Sequence, residues 1–275
     1  MSLTTHQRVA FFIAFVILAT GVVGVVGRNL DEDESSALTF PSPTASAPAA
    51  TAAPTPAPTP APTAVRTLQP TAAPTPAIVT APPGGAASMP AAGVYTYRET
   101  GEGRFTQSNL RISNTGGGGQ KEGQDDVVSD VSWRPDGKYT HKVTFGSITC
   151  DLEPDLLEIK LPLQQGAVWT IRSSCELAPG AMLRFSGTSS VLGSERVTIG
   201  GTQVDTTRIK SDITVRGEGN DQTVDQKVAT DGLFAPGAGL FVRITTQISG
   251  TDPFTGESSS SSTVQELESL TPRPV

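Results

Sequence analysis

A chain of 275 residues with 27 acidic and 20 basic side chains, a net charge of −7, two histidines and two cysteines sits outside several functional classes. The acidic balance, with no basic stripe, argues against nucleic-acid binding. Two cysteines are too few for a disulfide-dense scaffold.

Residues 1–8 read as a short cytoplasmic tail. Val9 to Gly27 then gives 19 consecutive uncharged residues, which as a helix extend about 28 Å against a hydrocarbon core of about 30 Å. Arg8 precedes the run, and Arg28 follows it before Asp31, Glu32, Asp33 and Glu34. Only Lys and Arg set orientation, so the flanks are nearly balanced; a proline stalk and paired cysteines downstream place the C-terminal side outside the cytoplasm. The expectation for residues 9–27 is a transmembrane signal anchor, giving a single-pass protein of the cell membrane. The alternative is a signal peptide cleaved after Ala19-Thr20-Gly21 or Val25-Val26-Gly27. No cysteine lies near the run, which excludes a lipid-modified one.

Residues 28–92 read as a disordered Pro/Ala/Thr-rich linker. Pro, Ala and Thr fill 35 of the 43 positions from 41 to 83, so the tract has no core and favours solvated polyproline II, at most roughly 130 Å long. Thr51, Thr55, Thr59, Thr63, Thr67, Thr71 and Thr75 recur every fourth residue. On a helix of three residues per turn this moves successive threonines about 120° around the axis, so they visit every face and form no docking stripe. The tract is a spacer, either bare or carrying O-linked sugars on its hydroxyls.

Residues 93–275 are expected to form one extracytoplasmic β-domain, with 17 basic and 23 acidic side chains and no polybasic cluster to dock on an anionic membrane surface. Apolar residues alternate throughout: Leu157, Ile159 and Leu161; Ile209, Ile213 and Val215; Leu240, Val242, Ile244 and Ile248. Turn signals recur at the Gly116 to Gly119 run, Pro135-Asp136-Gly137, Pro179-Gly180, Gly200-Gly201, Gly217 to Asn220 and Asp252-Pro253. The fold class is all-β, with about ten or eleven strands in an antiparallel meander that forms a curved sheet, half-barrel, barrel or sandwich. Val143 and Phe145 differ in parity from Ile148 and Cys150, which predicts a bulge near Gly146 and Ser147. Cys150 and Cys175, both inward on neighbouring segments, are disulfide partners in an oxidising exterior; two buried free thiols are the alternative.

The search for chemistry returns blanks. His141 is the lone histidine of the domain, so neither a two-histidine metal site nor a histidine-based triad is expected, and it reads as a surface residue. No Gly-x-Ser-x-Gly elbow or phosphate-cradling glycine loop occurs. Asp151, Glu153 and Asp155 alternate along one face; they read as a solvated acidic edge before a calcium site or a carboxylate pair for hydrolysis. Ser258 to Ser262 reads as a polar run that aids solubility.

Pro162-Leu163, Gly166 and Trp169, then Val197-Thr198-Ile199 with Asp205, Thr206, Arg208 and Ile209, then Phe234-Ala235-Pro236-Gly237-Ala238-Gly239-Leu240 follow a recognisable order. Over roughly residues 162–243 it resembles exported bacterial envelope β-domains of unknown function, the TapB-like and related families. Leu233 stands where those families have Trp, and Gly200 replaces their turn proline. The resemblance implies a curved antiparallel sheet in the cell envelope and supplies no catalytic residues.

The segment from Ala235 to Gly239 is a tight strand connection, in which Phe234, Pro236 and Phe241 line the mouth of a ligand groove or cap the core. Gly93-Val94-Tyr95-Thr96-Tyr97-Arg98 echoes Val168-Trp169-Thr170-Ile171-Arg172, as if each opened half of a duplicated sheet. The expected function is that of a membrane-tethered, non-catalytic module without cofactor or metal, which binds or carries an apolar ligand or an envelope partner. The alternative is a structural or adhesive protein whose stalk displays a folded head.

Overall fold

The computed structural model describes residues 78–101, 104–124, 126–219, 222–251 and 258–275. The apolar run 9–27 and the linker up to residue 77 lie outside these. Among the described residues no helix is long and apolar enough to cross a membrane.

Among the described residues thirteen strands follow one another: β1 (Ile78–Val79), β2 (Gly93–Gly101), β3 (Arg104–Gly116), β4 (Gly119–Gln124), β5 (Val127–Arg134), β6 (Gly137–Phe145), β7 (Ile148–Lys160), β8 (Val168–Ala178), β9 (Ala181–Ile199), β10 (Thr202–Gly219), β11 (Gln222–Ala235), β12 (Leu240–Thr251) and β13 (Ser258–Leu267). From β2 onward each pairs antiparallel with the next, β9 pairs with β10, and β13 returns to β2. The result is a closed, twelve-stranded, up-and-down barrel, which leaves no long unpaired edge. β1 is a two-residue parallel addition to the start of β10.

Alternation fixes which side of each strand faces in. On β8, Trp169, Ile171, Ser173 and Cys175 are buried while Thr170 and Arg172 are exposed, and a slip of one residue would turn this whole set outward. One apolar cluster joins Val127, Leu156, Trp169, Phe185, Ile213 and Phe234; another joins Tyr95, Ile112, Val204, Leu240 and Leu267. The strand count exceeds the expected ten or eleven. β4 reads Gly-Gln-Lys-Glu-Gly-Gln, with no apolar residue for alternation to reveal. The expected bulge at Gly146 and Ser147 is instead a hairpin turn: β6 ends at Phe145, β7 begins at Ile148, and Gly146 takes φ 54°. A two-residue turn flips parity as a bulge does, and glycine is what its positive φ requires.

The barrel has a weak seam. β7 and β8 share a single register pair, Glu153 with Ser174, because Pro154 brings no N–H to the ladder. Two hydroxyls substitute: Ser173 Oγ donates to the Pro154 carbonyl at 2.6 Å and Ser174 Oγ to the Glu153 carbonyl at 2.9 Å. The Cys150–Cys175 disulfide, with Cα atoms 5.4 Å apart, bridges the same two strands.

Residues 78–92 are seated on the barrel, although their composition assigns them to the linker. The Ser88 amide donates to the Pro236 carbonyl at 2.7 Å, the Leu163 amide to the Gly85 carbonyl at 2.8 Å, and Gln120 Nε2 to the Pro90 carbonyl at 2.8 Å. This strap runs past the ends of β10, the β11–β12 turn, the β7–β8 loop and β4. Gly237 and Gly239 make room for it: a Cβ at Gly237 would sit 2.5 Å from the Thr80 carbonyl oxygen, and one at Gly239 2.2 Å from that of Ser88. The two echoing segments are β2 and β8, the first strands of two successive sets of six around the barrel.

Candidate functional site

Three places in the barrel gather polar chemistry. The first is inside. Lys138 on β6 points inward between Glu122 on β4 and Glu158 on β7, with Nζ 2.7 Å from one carboxylate and 2.9 Å from the other. Thr140 Oγ1 also donates to Glu158. All three charged side chains are nearly buried, at 9 % exposure for Lys138, 13 % for Glu122 and 7 % for Glu158. Burial pushes the Glu122 carboxyl up, against the pull of the Lys138 charge. Burial also works against the Lys138 ammonium, but the two carboxylates outweigh it and hold its pKa above the ordinary value. Tyr97 beside them is pushed up by burial and by Glu122, and its hydroxyl donates to the Phe241 carbonyl at 2.9 Å.

These groups line a cavity of ≈ 50 Å³ together with Gln124, Phe234 and Phe241. That is room for a few water molecules and not for a lipid chain. Phe234 is 1 % exposed, with its ring centroid 5.3 Å from Phe241 and 6.4 Å from Trp133. The aromatic residues expected at a groove mouth therefore sit in the interior, and Pro236 is buried next to the strap.

The second place is the outer face of β9 to β13. A furrow of ≈ 680 Å³ crosses the five strands, its floor the backbone of Gly187, Ile213, Val228, Ile248 and Ser261. The rows on either side point outward. Ser186, Thr214, Lys227, Ser249 and Ser260 form one, and Asp212, Ala229, Gln247 and Ser262 the other. Small side chains keep the furrow open, and its groups are mainly hydroxyls and amides with one cation and one anion. Part of the serine run thus belongs to this wall.

The third place is on the outer face of β5, β6 and β7. His141 is the extra residue of a β-bulge: Thr140 pairs with Val131 and Lys142 with Asp130, leaving His141 without an opposite number. The β6–β7 ladder breaks at the same point, with Thr140 opposite Leu156 and Lys142 opposite Asp151. Bulges re-aim side chains, and here the imidazole lies between two neighbours. Nδ1 is 2.7 Å from Asp155 Oδ1, and Nε2 is 2.7 Å from Ser132 Oγ.

A carboxylate only accepts, so Nδ1 carries the hydrogen, and in the neutral ring Nε2 is then the acceptor for the Ser132 hydroxyl. Arg134 Nη2 holds the other Asp155 oxygen at 2.8 Å, and its guanidinium lies over the Tyr139 ring at 4.4 Å. Burial alone raises the Asp155 carboxyl, but hydrogen bonds from His141 and Arg134 outweigh it and hold the group below the usual carboxylate range. His141 and Asp155 are about one-third exposed.

Ser132, His141 and Asp155 thus form one hydrogen-bonded chain, an arrangement that needs only a single histidine. The acidic alternation is dispersed: Asp151 pairs with Lys142 at 3.0 Å and only Asp155 joins the histidine. Among the described residues no group of three or more His, Cys, Asp or Glu side chains is placed to hold a metal.

No family model and no curated protein matches the chain. Among solved structures it is similar to the hypothetical lipoprotein YmcC from Escherichia coli K12, at 14 % identity over 67 % of this chain and 86 % of that one, with a TM-score of 0.35. It is similar also to a "putative lipoprotein" from Parabacteroides distasonis ATCC 8503, at 11 % identity over 64 % of this chain and 94 % of that one, again with a TM-score of 0.35. A likeness of that degree carries no argument about role.

Proposed function

We propose that the chain is a membrane-tethered extracytoplasmic protein whose β-barrel head binds a polar partner in the cell envelope through the furrow across β9 to β13. The furrow carries this reading. Its ≈ 680 Å³ falls in the range of binding clefts, whereas the interior cavity beside Lys138, at ≈ 50 Å³, is too small for the apolar cargo that a carrier would hold. Tethering rests on the uncharged run from Val9 to Gly27 and the proline tract after it; the disulfide Cys150–Cys175 suits an oxidising compartment. The resemblance of its motif order to exported envelope β-domains is in keeping with the same compartment.

The furrow's hydroxyls and amides suit hydrogen bonding to an extended polar chain, either a glycan strand or a peptide. Ala229→Arg and Ser249→Arg place long side chains in it without touching the core. Affinity of the detergent-solubilised full-length protein for envelope material stripped of its membrane should fall at least about tenfold in either variant, the effect of losing about 1.4 kcal/mol. Unchanged affinity of both, with normal folding, removes furrow binding as the protein's role.

A further inference from the structure

We infer that Ser132, His141 and Asp155 form a nucleophilic site on the outer barrel wall that acts on carboxylic esters. The hydrogen-bond chain is continuous: Ser132 Oγ to His141 Nε2 at 2.7 Å, and His141 Nδ1 to Asp155 Oδ1 at 2.7 Å. Both distances lie within the reach required of a base and its orienting carboxylate. Three neighbouring strands contribute one residue each, and the histidine is delivered by a bulge that interrupts both of its ladders. A histidine doing no more than capping a carboxylate would not need its second nitrogen on a serine hydroxyl.

Asp155 fixes the tautomer that leaves Nε2 free to accept a proton, and Arg134 anchors the far oxygen of the same carboxylate. Arg134 stands two residues from Ser132 on the same face of β5, the nearest cation along that strand for an oxyanion forming at the serine. Ser132 is half-buried, so an ester reaches it from solvent.

The chemistry balances with water as the only co-reactant. The Ser132 proton passes to His141 Nε2 as the Oγ–carbonyl carbon bond forms, and the ester C–O bond breaks with the alcohol taking that proton. Water then attacks the acyl-serine, giving its proton to His141. The carboxylic acid leaves, and the proton returns to Ser132 Oγ.

The test uses the full-length protein and a fluorophosphonate, which forms an Oγ–P bond with an activated serine and releases fluoride. Peptide mass spectrometry reads each serine separately, and exposed Ser258, Ser260 and Ser262 are internal controls. The expected result is labelling of Ser132 at least about a hundredfold faster than of the controls. That labelling should fall to control level in His141→Gln, drop in Asp155→Asn, and decline in acid only while His141 is present. Labelling of Ser132 at the control rate in the wild type overturns the inference, and so does a fast rate that His141→Gln leaves unchanged. Should His141→Gln fail to fold, the wild-type comparison and Asp155→Asn decide.

Discussion

Replacing Lys138 with methionine keeps its length and removes the charge that two buried carboxylates share. Glu122 and Glu158 lie 2.7 and 2.9 Å from its ammonium and are almost fully shielded from water. Removing one member of a buried ionic cluster leaves uncompensated charge at a cost of about 3–5 kcal/mol. For a domain of this size that lowers Tm by roughly 6–20 °C. The sign of the pH dependence follows from linkage. Burial already holds the Glu122 carboxyl above its ordinary 4.5, and without the lysine the nearby positive charge that pulls it down is gone. The deficit is therefore small below that value and grows as pH rises through it towards the raised one. Urea unfolding at pH 4 and pH 7 should show a deficit mainly at the higher pH. The triple variant Glu122→Gln, Lys138→Met, Glu158→Gln should recover most of it. A single variant as stable as the wild type at pH 7, or a triple variant no better than the single, refutes the reasoning.

Removing the disulfide by Cys150→Ala with Cys175→Ala opens a loop of 25 residues and should cost about 3.5 kcal/mol on the chain-entropy account. Hydrogen exchange should rise first along β7 and β8, whose ladder has one register pair; a rise spread evenly over the barrel contradicts the seam. Gly237→Ala drives a Cβ against the strap at Thr80, so the Ser88 and Leu163 amides should exchange at least about tenfold faster while β10 holds. Gly193→Ala, whose Cβ meets nothing closer than 3.9 Å, is the control, and equal behaviour of the two refutes the strap. The Arg208 guanidinium, bonded to both Asp231 oxygens at 2.8 and 2.6 Å, holds that carboxyl below its ordinary 3.8. Its stabilisation is present above that pH and lost as pH falls through the depressed value. Asp231→Asn should therefore be less stable than the wild type at pH 6 and approach it near pH 3 in thermal melts.

Much of the barrel was legible because alternation is a local signal. Trp169, Ile171 and Cys175 share one parity and all face inward, and the disulfide follows from that parity together with the neighbouring strands. β4 was not legible, since its inward residues Gln120, Glu122 and Gln124 are polar and make sense only beside Lys138 and Trp133. The 146–147 turn and a bulge give the same parity change, so the sequence pattern alone does not separate them. The strap was hidden by composition: Ala, Pro and Gly look like linker, yet the small residues of the β11–β12 turn let that backbone pack closely. The Ser132–His141–Asp155 chain depends on the register of three strands and on a bulge at the histidine itself. No fixed spacing in sequence announces such a set.

The central functional claim concerns which surface meets the envelope. A photo-crosslinking residue placed at Ala229, on the furrow wall, and another at Thr170, exposed on β8, should be compared in the full-length protein in its native host. The account predicts envelope adducts from position 229 and none from position 170. Adducts from 170 alone, or from neither position, would contradict it.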